Sequence, residues 1–162
     1  MSNEQRSPRG RRQNNPPVVN RIRMGLVMRK GMDFGALGDV ETILRMQGVS
    51  LAPMSTGEAS LMLSGVAVMA TATADDITHG RVKGLIIPGG PADEAGDAQT
   101  RALIVLAREK GLPVLSFGEG VALSAEVSGQ AVEGDGAVFS TTGAVAINDR
   151  DALVKAVDII AA

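Results

Sequence analysis

The chain has no cysteine, no tryptophan and no tyrosine, one histidine (His79) and only three phenylalanines among 162 residues. Without cysteine there is no disulfide, no thiolate nucleophile and no thiolate-bound metal. With one histidine, a His-rich metal site and any mechanism that needs two imidazoles are excluded. Aromatics at 2% leave almost no ring faces for stacking on bases. No apolar run approaches the ~18 residues of a membrane span. The N-terminus carries no apolar stretch of the kind found in signal peptides. A cysteine-free chain suits a reducing cytoplasm, and that is the expected location. Neither a cofactor nor a metal is expected.

Charge is sparse in net terms but unevenly placed. The total is −2, yet residues 1–20 hold four arginines (Arg6, Arg9, Arg11, Arg12) against Glu4. The remainder is acidic, which argues against a broad nucleic-acid-binding face. "MSNEQRSPRGRRQNNPPVVN" offers too little apolar area to offset its ordering entropy and reads as a mobile basic tail. Nucleic acid would be touched, if at all, weakly and through this tail. The folded domain is expected from residue 21 to residue 162.

What is present is aliphatic and periodic. "RIRMGLVM" reads as a first strand ending near Met28, followed by a loop and a helix striped by Val40, Ile43, Leu44 and Met46, with Gly48 as its stop. "VSLAPMS" is a second strand. "LMLSGVAVMATATADDI" alternates in short pieces, as a hairpin or small strands beside the main sheet would. In "VKGLIIPGG", consecutive Leu85, Ile86 and Ile87 suit a strand covered on both faces. "GDAQTRALIVLAREKG" is a helix with Asp97 as N-cap and Gly111 just past its end. "LPVLSF" is another buried strand, and "GVALSAEVSG" a short helix stopped by Gly129. "QAVEGDGAVFSTTGA" reads as a hairpin-like pair around Gly134-Asp135-Gly136. "INDRDALVKAVDIIAA" is a closing helix capped by Asn148 or Asp149, with Leu153, Val157 and Ile160 facing inward. Strand and helix alternate at short spacing, so a mostly parallel sheet with helices on both faces is expected. No GxxxxGK phosphate loop and no GxGxxG after the first strand is present.

Three segments carry a resemblance. "VKGLIIPGGPADE", "EKGLPVLSFGEGVALSAEVSG" and "DGAVFSTTGAVAINDRDALVKAVDII" stand in the order of the ThiJ/PfpI family, within the class I glutamine amidotransferase-like superfamily. The resemblance covers about Arg21 to Ala162. It implies an α/β, flavodoxin-like three-layer sandwich and a homo-oligomer, commonly a dimer. In the family a cysteine stands at a sharp strand-to-helix turn, usually followed by histidine. Aligning Gly111, Pro113 and Gly120 with their family counterparts puts Gly118 at the cysteine position and Glu119 at the histidine position. The family's assisting acid after the first strand falls nearest Asp33 and Phe34, with the spacing favouring Phe34. Glycine also relieves the strain of such a turn, because it reaches φ > 0 without a Cβ clash. The turn is kept and its nucleophile is not, so no thiol hydrolysis, glyoxalase-type chemistry or glutamine amide transfer is expected.

The remaining candidates follow from this turn. Ligands of parallel sheets collect at the carboxyl ends of strands. Pro88-Gly89-Gly90 would present backbone N–H groups to the cavity, as the family's oxyanion hole does. Gly118 is expected at its floor, with Glu119 beside it pointing towards the cavity mouth or a subunit edge, and Thr142 and Gly143 are expected on a third loop at the same end. Ser116 with His79 is a weak nucleophile-base candidate, and the scattered methionines read as core filler. Three functions follow: a non-catalytic module sensing a small molecule or anion, or binding a partner, at Gly89, Gly90, Gly118, Glu119, Thr142 and Gly143; a hydrolase or lyase using Glu119; or a structural oligomer without ligand.

Overall fold

The computed structural model describes residues 22–29, 40–56, 60–63, 66–90 and 93–161. The basic segment 1–20, Asp33 and Phe34 lie outside them. The elements run β1 (Ile22–Val27), α1 (Val40–Met46), β2 (Val49–Met54), β3 (Ser60–Leu63), β4 (Val66–Met69), α2 (Ala74–Thr78), β5 (Leu85–Ile87), α3 (Glu94–Glu109), β6 (Val114–Phe117), α4 (Glu119–Ser128), β7 (Gly136–Ser140), β8 (Gly143–Ile147) and α5 (Arg150–Ala161).

Six strands form one sheet in the order β2-β1-β5-β6-β7-β8. The first four are mutually parallel, and β7 and β8 are antiparallel. β3 and β4 make a separate antiparallel hairpin, as their alternation predicts. The period-2 geometry of strands splits the aliphatic runs between two cores. Leu85, Ile87 and Val114 join Leu103, Ile104 and Val121 on the face covered by α2, α3 and α4. Ile86, Leu115 and Phe117 join Val40, Ile43, Leu44, Leu153 and Val157 on the face covered by α1 and α5. The result is the three-layer α/β sandwich expected from the alternation.

Four local expectations are corrected. Met46 does not complete the α1 stripe; it is 75% exposed, beyond the buried Val40, Ile43 and Leu44. The α3 cap is Asp93, whose Oδ1 accepts from the Gly96 N–H at 2.7 Å. Asp97 lies inside the first turn, because Gly96 is accommodated within the helix rather than starting it. Gly134-Asp135-Gly136 is not a hairpin turn. That turn is Thr141-Thr142, between β7 and β8, and residue 136 begins β7. Within the stretch read as alternating strands, residues 74–78 form the helix α2, where the Thr73 N–H donates to the Asp76 carboxylate at 2.8 Å. Of the two proposed caps of α5, Asp149 is the one used, accepting from the Ala152 N–H at 2.8 Å. Asn148 instead accepts from the Asp135 N–H.

The chain crosses over from β1 to β2 on the α1 side and leaves β5 on the α3 side. The strand order therefore reverses between β1 and β5, and parallel sheets hold their ligands in the crevice at that point.

Candidate functional site

Three strand ends converge on this crevice. β6 runs into α4 through Gly118, which has φ 54° and ψ −130°. This is the expected sharp turn, and only glycine adopts it without strain. Its N–H donates to the Asp135 carbonyl at 2.9 Å, which fixes the loop before β7 against the turn. On the other side the backbone of Gly89 presses close. A β-carbon on Gly118 would lie 3.2 Å from Gly89 Cα. One on Gly89 would lie 3.0 Å from both Gly118 Cα and the Phe117 carbonyl. Gly120 is also spoken for: a β-carbon there would lie 2.8 Å from the Ile87 carbonyl. The three glycines let the ends of β5 and β6 meet backbone to backbone.

Glu119 closes the arrangement. Its Oε1 accepts from the Gly90 N–H at 2.6 Å. The donor expected to face an open cavity is thus occupied by the protein's own carboxylate. The Gly90 N–H, then the backbone N–H of Glu119 itself and the positive charge of Arg29, hold this carboxyl below its ordinary value. It is ionised at neutral pH.

Arg29 was not foreseen. It stands two residues past the end of β1 and is 2% exposed, which is rare for arginine. Its Nη1 donates to the Pro88 carbonyl at 2.6 Å and its Nη2 to Asp97 Oδ1 at 2.7 Å. The Nε–H has no partner among the described residues. Thr56 donates to the Met28 carbonyl and secures the strand end just before it. The signal available was a charge just after a buried aliphatic strand, at its carboxyl end. Arg29, Gly90, Asp97, Arg101, Glu119, Leu123 and Glu126 line a cavity of about 270 Å³.

The other candidates separate. Gly89, Gly90, Gly118 and Glu119 are brought together. Thr142 and Gly143 are not, and their expected place beside the turn is overturned. β7 runs antiparallel to β6, so its far end carries them to the opposite edge of the sheet. There Thr142 borders a recess of about 400 Å³ with Gly111, Pro113, Val145 and Ile159. The loop that does reach the turn ends at Asp135. Ser116 points into the α4 face, fully buried, 2.6 Å from the Ser124 hydroxyl. His79 is exposed at the end of α2, 2.9 Å from the Asp75 carbonyl. Neither acts on the other. A larger depression, about 530 Å³, lies between α1 and β2. Glu41 and Arg45 there already pair with each other at 3.0 Å.

Solved structures share this architecture. A Bacteroides thetaiotaomicron protein provisionally described as protease I superposes with a TM-score of 0.54 at 10% identity, over 70% of this chain and 72% of its own. The fold is that of the DJ-1/ThiJ/PfpI proteins. Toxoplasma gondii DJ-1 in its oxidised form gives 0.51 at 18% identity, over 67% and 61% of the two chains. An AraC family transcriptional regulator from Pseudomonas putida gives 0.53 at 14%, over 70% and 64%. The chain therefore spans less than two thirds of the length of these last two. No protein-family model and no curated protein matches the sequence. Among the described residues no helix is long and apolar enough to cross a membrane.

Proposed function

We propose that this protein is a non-catalytic member of the DJ-1/ThiJ/PfpI fold group that binds a small molecule in the cavity at the β1–β5 crevice. The observation that carries this reading is the contact between Gly118 and Gly89. The apex of the turn bears no nucleophile, and the space its β-carbon would need is taken by backbone 3.2 Å away. Thiol-type chemistry needs an activated side chain at that apex. The polar groups beside it are the Gly90 N–H, Arg29 and Arg101. Protease I and a transcriptional regulator share the architecture, so fold by itself favours neither turnover nor sensing.

A hydrolase or lyase built on Glu119 fits less well. Its carboxyl is ionised and tied to Gly90 N–H, so it has no proton to give, and the other carboxylates of the cavity pair with arginines. The test has two arms. Purified protein is assayed with peptide, amide and glyoxal substrates, and thermal protection is measured with a panel of small acids, amides and amines. Protection without turnover is expected. Turnover that disappears in Glu119→Gln would overturn the reading in favour of catalysis.

A further inference from the structure

The cavity holds an imbalance between donors and acceptors. Its carboxylates are all satisfied: Asp97 by Arg29 at 2.7 Å, Glu126 by Arg101 at 3.3 Å, and Glu119 by Gly90 N–H at 2.6 Å. Its donors are not. The Nε–H groups of Arg29 and Arg101 are both buried and both lack an acceptor among the described residues. A buried donor without an acceptor costs free energy, most of all on a charged group. The missing species is therefore an acceptor, not a cation.

Electrostatics decides when it can enter. With Glu119 in place the lining carries two arginines and three carboxylates, and a further anion is repelled. Once Glu119 swings out, two arginines face two carboxylates. The Gly90 N–H and the first turn of α4 are then freed for a negative group. Glu119 is an exposed residue, so its side chain has room to leave.

We propose that the cavity binds a small-molecule carboxylate in exchange for the side chain of Glu119, the ligand taking the Gly90 N–H and the acceptor-seeking face of Arg29. This deepens the binding-module reading and rests on it. The volume of about 270 Å³ lies just under the ~300–1,000 Å³ of sites for drug-sized ligands, so the ligand is a small metabolite-sized acid. Glu119 is then a built-in competitor. Binding must first displace it, and apparent affinity falls by the fraction of molecules in which it is displaced.

The probes are acetate, acetamide and methylammonium at constant ionic strength, added to the wild-type chain, Glu119→Ala and Glu119→Gln. Binding is followed by NMR through the Gly90 amide and the Arg29 Nε–H. Acetate is expected to shift both signals. Its dissociation constant should be at least about tenfold lower in Glu119→Ala than in the wild type, as for a competitor that leaves the site open in no more than about a tenth of molecules. Glu119→Gln, which keeps an acceptor and loses the charge, should fall between. Acetate binding Glu119→Ala no more tightly than the wild type, or leaving both signals unmoved, would overturn the inference. If acetamide or methylammonium moves Gly90 and acetate does not, the carboxylate is wrong while the binding-module reading survives. If no probe moves Gly90 and Glu119-dependent turnover is found, that reading falls as well.

Discussion

Two glycine-bearing turns, one at each end of the sheet, use the residue for different purposes. At the carboxyl end, Gly89, Gly118 and Gly120 are hemmed in by backbone, and a β-carbon on any of them would press on another strand within 3.2 Å. At the opposite end, Gly143 has a positive φ of 144° but nothing within 4 Å of where its β-carbon would be. The first set serves a meeting of β5 and β6, elements far apart in sequence. The second serves a local turn. The first set borders the candidate site, where distant segments bring the Gly90 N–H, Glu119, Arg29 and Asp97 together.

The sharpest way to break this comparison is to add bulk at the apex. Gly118→Val combines an unfavourable φ with pressure on Gly89 and should lose roughly 2–5 kcal/mol in urea unfolding. Gly118→Ala should lose less. An unchanged midpoint for Gly118→Val would show that the contact gives way freely. Next comes the pair beneath the cavity. Asp97→Ala strands the buried Arg29, and because Asp97 is 31% exposed the cost should be about 2–3 kcal/mol rather than that of a sealed pair. Wild-type stability in this variant would mean that Arg29 finds another acceptor. Gly120→Ala, forced against the Ile87 carbonyl, should cost about 1–3 kcal/mol.

A smaller effect distinguishes the ends by pH. The Glu119 carboxyl lies below its ordinary value of 4.5 in the folded chain, mainly through the Gly90 N–H. Its contribution is therefore complete above about pH 4.5 and is lost as pH falls through the lower folded value. Melting temperatures of wild type and Glu119→Gln should converge on acidification, and parallel curves would sink the assignment. The smallest effect belongs to the far end. Thr142 is exposed, and among the described residues its hydroxyl meets Ser140, at 3.0 Å. Thr142→Ala should stay within about 0.5 kcal/mol and leave probe binding at Gly90 untouched.

The same contrast explains what could be read from sequence. The strands Ile22–Val27, Leu85–Ile87 and Val114–Phe117 announce themselves, because burial on both faces demands segments rich in aliphatic residues. The turn at Gly118 was legible because two glycines flank Glu119 directly between a strand and a helix. The error over Thr142 and Gly143 was one of direction. A glycine-containing loop looks alike at either edge of a sheet, and only pairing shows that β7 runs against β6. Arg29 and Asp97 stayed hidden for another reason. Their ion pair joins positions 68 residues apart, and the residue that caps the helix, Asp93, is another aspartate four positions earlier. The occupation of Gly90 N–H by Glu119 depends on a side-chain rotamer, which sequence pattern does not encode.

The topology also has a consequence for the order of assembly. β7 and β8 are neighbours in sequence and can zip together early. β1 must find β5 across the Gly25–Leu85 register, closing a loop of about sixty residues before any pairing compensates the lost chain entropy. The turn at Gly118 further waits on the carbonyl of Asp135, so a ribosome must have passed that codon before the crevice can take its final form. The crevice is thus expected to be among the last parts of the molecule to mature. A chain caught partway through folding would present a finished hairpin beside an unfinished pocket.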